Sequence, residues 1–208
     1  MNIARPSVAL IALCAALASP LARADAVATT VFADTFEDGS VADWPVSASA
    51  NITVPVVTVR TDSVHEGLGA LWTYFDAPGG GQGAGQVRAS RVFNAPVAAD
   101  YTLSLWARSA PCSGCTMFYD VLVDGVSLAR TAAPNAFEAR SFTLSGLSAG
   151  DHVLTLGIYT TAASSGRFNA TFDDVRITTL APVPEPTSAA LMLAGLGIAG
   201  FAARRRQR

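Results

Sequence analysis

The sequence predicts an all-β fold for the middle of the chain, an antiparallel β-sandwich of the jelly-roll type. No amphipathic helical period is found there; short runs rich in Val, Thr, Leu, Phe and Tyr recur instead, separated by Gly, Pro, Asn and Asp. The segment Tyr101–Arg108 alternates, which predicts Leu103 and Leu105 on one face and Trp106 on the other. Eight or nine such strands without crossover helices favour two packed antiparallel sheets.

Nine strands are predicted within a folded domain of residues 25–181. In chain order they are Val31–Phe36, Ile52–Arg60, Ala70–Phe75, Gln86–Phe93, Asp100–Arg108, Met117–Val123, Phe137–Leu144, Asp151–Thr160 and Thr171–Thr178. The pair Asp124-Gly125 is a tight-turn signal between two apolar stretches, and Gly150-Asp151 plays a similar part. The glycine-rich stretch Ala77–Gly85 predicts a loop, because ordering so many glycines is entropically costly.

Length and charge limit the kinds of partner. The 208 residues suffice for one domain with accessory segments. All 14 basic residues are arginine, and between Asp25 and Pro184 eight arginines stand against fifteen aspartates and glutamates, a net charge of −7. Because phosphates require a basic face, this balance excludes nucleic acid as a partner.

Residues 1–24 have the pattern of a cleavable secretory signal peptide with a signal helix. Arg5 supplies the positive charge, Val8–Leu17 is the apolar region, and Ala22 and Ala24 provide small residues for cleavage. The apolar region is too short to cross about 30 Å of hydrocarbon. We therefore expect the general secretion machinery to export the chain.

The C-terminal residues 182–208 combine three features. Pro184-Glu185-Pro186 is followed by the apolar run Ala189–Ala203, which predicts a short transmembrane helix, and then by an arginine-rich end that stays cytoplasmic. This tail resembles the PEP-CTERM sorting signal of Gram-negative bacteria. The resemblance implies export across the inner membrane, a transient membrane anchor, and processing near the motif by an exosortase, a membrane cysteine peptidase-like enzyme. The cell surface or the extracellular matrix is then the expected destination.

Several short motifs follow one another through the middle of the chain. They are Phe36-Glu37-Asp38-Gly39, Trp44, His65-Glu66-Gly67, Ala70-Leu71, Asp120-Val121-Leu122-Val123-Asp124-Gly125, Gly150-Asp151-His152-Val153-Leu154 and Phe172-Asp173-Asp174-Val175. This order resembles the carbohydrate-binding-module and galactose-binding-like jelly rolls. Such domains bind glycans in some proteins and only hold scaffolds together in others.

Two cysteines remain once the signal peptide is removed. Cys112 and Cys115 are separated by Ser113 and Gly114 and lie between two predicted strands, which places them in a hairpin loop. In an oxidising envelope we expect them to form a local disulfide. A redox site and a zinc site are the alternatives, although zinc would require two further ligands.

One acidic residue indicates a metal site. Strand alternation predicts that Asp173 shares a face with Val175 and Ile177, so that its carboxylate needs a cation or hydrogen-bond donors. Glu37 is the natural second oxygen donor if the terminal strands are neighbours, and calcium suits such ligands. The jelly-roll resemblance implies that backbone carbonyl groups complete the site, at Thr35 and Leu68. A bulge at Asp173, which would turn both aspartates to solvent, is the alternative.

A glycan site requires an exposed aromatic side chain with polar groups around it. Trp106 is the best candidate and lies beside Arg108 on the predicted strand face. Asp120 and Tyr159 join that face if their strands are neighbours. Trp106 is instead a core residue if a loop covers the face.

The function expected from the sequence is non-enzymatic. The sequence pattern contains no paired carboxylates on one strand, no Ser-His-Asp set and no His-based metal site. We expect an exported surface or matrix protein whose sandwich binds polysaccharide. A purely structural or adhesive protein without a small ligand is the alternative, and a weak glycan hydrolase is a third.

Overall fold

Two antiparallel sheets make up the fold. The computed structural model describes residues 27–52, 54–77, 85–109, 117–132, 135–160 and 166–181, together with 195–196 and 204–205. Sheet A has the strand order β3-β4-β11-β6-β9, with β1 paired to β11, and sheet B has the order β2-β5-β10-β7-β8. The strands are β1 Val27–Asp34, β2 Val46–Ala48, β3 Val54–Arg60, β4 Ala70–Ala77, β5 Gly85–Ala95, β6 Ala99–Arg108, β7 Met117–Val123, β8 Val126–Ala132, β9 Glu138–Leu147, β10 Gly150–Thr160 and β11 Gly166–Ala181.

The prediction of an antiparallel sandwich is confirmed, and each of the nine predicted strands overlaps an observed one. Two observed strands were not predicted, β2 and β8. Strand β2 has only three residues, all exposed. Strand β8 lies at the edge of sheet B, where its mostly exposed side chains need no alternation of apolar and polar residues.

The core lies between the two sheets and follows the predicted alternation. On β6, Leu103 and Leu105 are buried in the core cluster, whereas Trp106 points to the outer face and is half-buried. Trp44 is 1% exposed and packs against Phe36, with the two ring planes tilted by 44°. Burying large apolar side chains of this kind contributes about 1.5–3 kcal/mol each.

The hairpin between β7 and β8 confirms the turn predicted at Asp124-Gly125. Both residues have positive φ angles, 51° and 78°, as the two central residues of a type I′ turn require. The second predicted turn is displaced along the chain. Gly150 opens β10 with a φ of 124°, and the two residues between the strands are Ser148 and Ala149.

A β-bulge in β11 corrects the predicted orientation of Asp173. The pairing with β6 shifts between Asp173 and Arg176, and Asp174 has a φ of 49°. The extra residue reverses the alternation, so Asp173 faces away from the core, on the same side of sheet A as its partner Trp106. The carboxylate is nevertheless buried, because the chain segment 61–69, which we call the covering segment, donates backbone N–H groups to it.

Several predictions concern residues outside the described ranges. These are the signal peptide at 1–24, the loop at 78–84, the cysteines Cys112 and Cys115, and the Pro184-Glu185-Pro186 motif with most of the tail. Within the part of the chain that the structure describes, no helix has the length and apolar character needed to cross a membrane.

Candidate functional site

The four residues predicted to bind glycan do not share one face. Trp106 and Arg108 lie on β6 of sheet A, whereas Asp120 on β7 and Tyr159 on β10 belong to sheet B. The expectation of a single face is therefore wrong, because neither β7 nor β10 is a neighbour of β6. Each outer face offers a separate candidate site.

The outer face of sheet B carries a row of polar residues across four adjacent strands. Gly157 on β10 pairs with Arg88 on β5 and with Asp120 on β7, and Asp120 pairs in turn with Arg130 on β8. Tyr119 and Val121 lie in the core, so the residue between them points outward. Because Gly157 has no side chain, Arg88 reaches across β10 to the carboxylate.

The carboxylate of Asp120 holds two guanidinium groups. Its Oδ2 atom accepts hydrogen bonds from Arg88 Nε at 3.0 Å and from Arg130 at 3.3 Å. The side chain is fully buried, whereas those of Arg88 and Arg130 are 18% and 40% exposed. Among the described residues Asp120 Oδ1 has no hydrogen-bond partner. Asp120 is thus a positioning residue that fixes two partly exposed cationic groups at the surface.

Aromatic and amide side chains form a second row beside the first. Tyr159 pairs with Gln86 on β5 and with Phe118 on β7, and all three are half-buried. The guanidinium of Arg130 lies 4.1 Å from the centre of the Tyr159 ring, which joins the two rows by a cation–π contact. The six residues of the arginine–tyrosine surface are Gln86, Arg88, Phe118, Asp120, Arg130 and Tyr159. Flat rings beside fixed hydrogen-bond donors can bind a sugar ring and its hydroxyl groups.

The outer face of sheet A holds a cavity of about 450 Å³ next to Trp106. The His65 ring stacks on Trp106 with a centroid distance of 3.7 Å, so the covering segment shields one face of the indole. Arg108 lies with its guanidinium 5.6 Å from the Phe137 ring. Trp106 is therefore neither a fully exposed binding residue nor a core residue. The covering segment lies on one face of its ring, and a cavity adjoins it.

Of the four residues predicted to hold calcium, Glu37 and Asp173 bond to the covering segment, which itself contains Leu68. Both oxygens of Glu37 accept the N–H of Leu68, at 3.0 and 2.8 Å. Asp173 accepts the N–H groups of His65 and Glu66, at 2.8 and 3.3 Å. Burial raises the pKa of Asp173 and outweighs these N–H groups.

The donor set fits calcium in chemistry, because Glu37 and Asp173 supply carboxylates and the chain adds carbonyl groups. Thr35 follows directly after β1, and Leu68 is exposed. In the structure the carboxylates accept N–H groups from two different parts of the covering segment. Calcium binding by these residues therefore stays a prediction.

A serine, a histidine and an aspartate meet at the β9–β10 turn, an arrangement not found from the sequence. His152 Nδ1 lies 2.6 Å from Asp124 Oδ2, and its Nε2 lies 3.5 Å from Ser148 Oγ. A catalytic triad requires Nε2 to accept the serine proton. Here Nε2 is 2.9 Å from the Ser148 carbonyl oxygen, to which it donates. Both ring nitrogens are donors, so the group ties the β7–β8 hairpin to the β9–β10 connection between the sheets and is not a base.

The His152–Asp124 pair predicts a pH-dependent stability. Hydrogen bonds to Asp124 and to the Ser148 carbonyl raise the pKa of His152 above 6.5. Burial raises the pKa of Asp124. The hydrogen bonds from the Val153 N–H and from His152 lower this pKa by more, so that it lies below 3.8. The stabilisation is therefore complete between about pH 4 and 6.5 and is lost as the pH rises through the raised pKa of His152.

We expect the substitution His152→Gln to cost about 1 kcal/mol at pH 5.5, since Asp124 is 45% exposed, and clearly less at pH 9. Denaturant unfolding at both pH values measures the difference. Asp38→Asn is the control, because this exposed carboxylate accepts the Ser40 N–H and does not contribute to the pKa of His152. An equal cost of His152→Gln at the two pH values contradicts the prediction.

The C-terminal residues of the chain match a known sorting motif. Residues 182–206 match the family model of the PEP-CTERM protein-sorting motif, which confirms the predicted sorting signal and indicates an exported, exosortase-processed protein of the Gram-negative type. The comparison with curated proteins found no match.

Similar solved structures include carbohydrate-binding-module sandwiches. One, from a study of promiscuous specificity in modules of the β-sandwich superfamily, is 16% identical with a TM-score of 0.51, over 69% of this chain and 60% of the other. The CBM22-1–CBM22-2 tandem domain of Paenibacillus barcinonensis Xyn10C is 14% identical with a TM-score of 0.51, over 79% and 49%. The K3 cleaved adhesin domain of Lys-gingipain from Porphyromonas gingivalis is 16% identical with a TM-score of 0.51, over 73% and 100%. At these identities the likeness shows the fold.

Proposed function

We propose that this protein is exported, is processed by exosortase, and binds polysaccharide at the cell surface or in the extracellular matrix through the arginine–tyrosine surface of sheet B. The observation that carries the proposal is the pair of guanidinium groups that the buried Asp120 fixes beside Tyr159. The sorting motif supports the destination. The likeness to carbohydrate-binding modules supports a glycan as the ligand.

The shape and chemistry of the surface favour a chain-like glycan. The two rows cross β5, β10 and β7, and the charged row continues to β8. At ordinary strand spacing these four strands span roughly 14 Å. Tyr159 and Phe118 offer ring faces or edges, and Gln86, Arg88 and Arg130 offer hydrogen-bond donors for hydroxyl or carboxylate oxygens. An extended sugar chain presents both kinds of group along its length.

Binding without hydrolysis fits the carboxylates of this surface. Glycoside hydrolysis generally uses two carboxyl groups on either side of the scissile bond. Of the six residues that form the surface, Asp120 alone carries a carboxylate, and two guanidinium groups engage its Oδ2. We therefore propose a binding module rather than an enzyme.

Affinity electrophoresis of the full chain in gels with neutral or acidic polysaccharides, including the exopolymer of the host strain, tests the proposal. We expect Tyr159→Ala to weaken retention about tenfold, equivalent to about 1.4 kcal/mol. The matched control is Tyr74→Ala, a half-buried tyrosine that stacks on Trp72 in sheet A. Its retention should equal that of the unmodified chain.

Each other outcome selects a different function. Equal losses in Tyr159→Ala and Tyr74→Ala contradict a site on sheet B. No retention on any polysaccharide favours the structural or adhesive alternative. Release of sugar during the same incubation favours a hydrolase.

Calcium is a second proposal, at Glu37 and Asp173. An ion that binds only the native state stabilises it by about 2.7 kcal/mol at a free concentration of 100 times its dissociation constant. We expect calcium to raise the melting temperature of the wild type and not that of Asp173→Asn. Asp38→Asn, at an exposed carboxylate next to Glu37, should keep the full response. A wild-type melt that is the same with calcium and with a chelator contradicts this proposal.

A further inference from the structure

Three side chains of different types meet beside the Trp106 cavity. They are His65 and Glu66 of the covering segment and Asp174 of the β11 bulge, and their ligand atoms all lie within 4.8 Å of one another. The first and last are half-buried, and Glu66 is exposed. Glycan binding on sheet B does not use them.

The spacing of the two half-buried groups matches that of two ligands on one metal ion. His65 Nδ1 lies 3.4 Å from Asp174 Oδ2, which is long for a hydrogen bond between a ring nitrogen and a carboxylate. Two ligands of a tetrahedral zinc ion, each about 2.0–2.1 Å from the metal, are roughly 3.3–3.5 Å apart. The observed distance falls in that interval.

Independent contacts fix each of these two ligands. The His65 ring is stacked on Trp106, and the backbone N–H of His65 is held by Asp173. Asp174 is held by its left-handed backbone in the bulge, and its Oδ1 accepts a hydrogen bond from Arg176 at 3.2 Å. The other oxygen, Oδ2, faces His65. Ligands that other groups orient in this way lose less conformational freedom when a metal binds.

The donor types select the metal. One imidazole nitrogen and two carboxylates form a mixed nitrogen and oxygen set, which suits zinc and the neighbouring divalent transition metals. Calcium prefers oxygen ligands, so this set differs in kind from the one formed by Glu37 and Asp173.

We propose that His65 Nδ1, Asp174 Oδ2 and the Glu66 carboxylate bind a divalent transition-metal ion, zinc being the best fit. The exposed Glu66 side chain closes onto the ion once it is bound. Three protein ligands leave one coordination position open, and the cavity of about 450 Å³ beside Trp106 adjoins it. The cavity is also lined by Ser104 and Ser141 and by the cationic Arg140 and Arg176, which suit an oxygen ligand or an anionic group of a second molecule.

Zinc titration of the untagged full chain by calorimetry, in calcium-free buffer at pH 7.5, tests the site. We expect one zinc ion per chain at this site and at least a tenfold weaker affinity in His65→Asn, Asp174→Asn and Glu66→Gln. Asparagine tolerates the left-handed backbone at position 174, and Glu66 is exposed, so Asp174→Asn and Glu66→Gln should keep the fold. Melting curves without metal verify that.

Controls separate the site from other ligands. Asp62→Asn changes a nearby carboxylate that pairs with Arg60, and His152→Gln removes the second histidine; both should bind zinc as the unmodified chain does. The double variant Cys112→Ser with Cys115→Ser should also bind normally. Zinc affinity lost only in the double cysteine variant overturns the proposal, as does unchanged affinity in His65→Asn and Glu66→Gln.

A spectroscopic readout locates the ion. Copper(II), which binds such sites at least as tightly as zinc and quenches nearby indole fluorescence, should quench Trp106 because the His65 ring is stacked on it. We expect zinc to prevent this quenching by competition, and Trp106→Phe to remove the quenched component. Quenching that persists in Trp106→Phe, or that zinc does not prevent, contradicts binding at His65.

Discussion

Replacing Asp34 by alanine is expected to destabilise the sandwich by about 3 kcal/mol. Asp34 is only 12% exposed and accepts three hydrogen bonds: from the Phe36 N–H and Trp44 Nε1, each at 2.9 Å, and from the Arg91 guanidinium. The same guanidinium lies 5.5 Å from the Phe32 ring and 5.9 Å from the Trp44 ring. Without Asp34, an indole N–H in the core loses its acceptor, and the Arg91 cation against two aromatic rings keeps only the exposed Asp43 as a partner.

The chain supplies a matched control for this prediction. Asp43 also bonds to Arg91, at 3.1 Å, but its side chain is 73% exposed. Asp43→Ala should therefore cost less than about 1 kcal/mol. Thermal unfolding measures both, and at 2–4 °C per kcal/mol we expect Asp34→Ala to lower the melting temperature by roughly 6–12 °C. Equal shifts for the two variants would show that Asp34 acts only as a surface charge.

Replacing Gly157 by alanine is expected to weaken stability and glycan binding together. An added Cβ would lie 2.4 Å from the Val87 carbonyl oxygen and 3.0 Å from Arg88 Cα, so the backbone of β5 must shift. Overpacking of this kind costs about 1–3 kcal/mol. The Cβ would also lie 2.8 Å from Arg88 Cγ, which moves this side chain away from Asp120. We expect retention on polysaccharide to fall about as far as in Tyr159→Ala.

Gly125→Ala provides the comparison. A Cβ at Gly125 would meet nothing within 4 Å, so its cost comes only from the positive φ of 78° and should be about 1 kcal/mol. The turn lies apart from the polar row, and retention should be unchanged. Denaturant unfolding and affinity electrophoresis of the two variants separate the effects. Full retention in a folded Gly157→Ala protein contradicts a role of Arg88 in binding.

The candidate sites were only partly predictable from the sequence. Asp120, Tyr159 and Trp106 were identified as binding candidates, but Arg88 and Arg130 were not, because nothing local distinguishes them from other surface arginines. Their role depends on strand register. The register places Arg88, which is 32 positions before Asp120, and Arg130, which is 10 positions after it, in one row with Asp120. The proposed metal ligands His65 and Asp174 are 109 residues apart and meet only through the bulge and the covering segment.

The sequence by itself determined the features that depend on neighbouring residues. Alternation along β6, the apolar runs that became nine strands and the Asp124-Gly125 turn follow from side-chain period and backbone preference, which act within a few residues. The tertiary structure decided which strands are neighbours, and thereby placed Trp106 and Tyr159 on different sheets. It also decided the direction of the Asp173 side chain. One extra residue in a strand shifts the alternation, so that side chains before the bulge point to the opposite face from the one that regular alternation predicts. The local pattern of β11 allows both this bulge and regular alternation, and pairing with a distant strand decides between them.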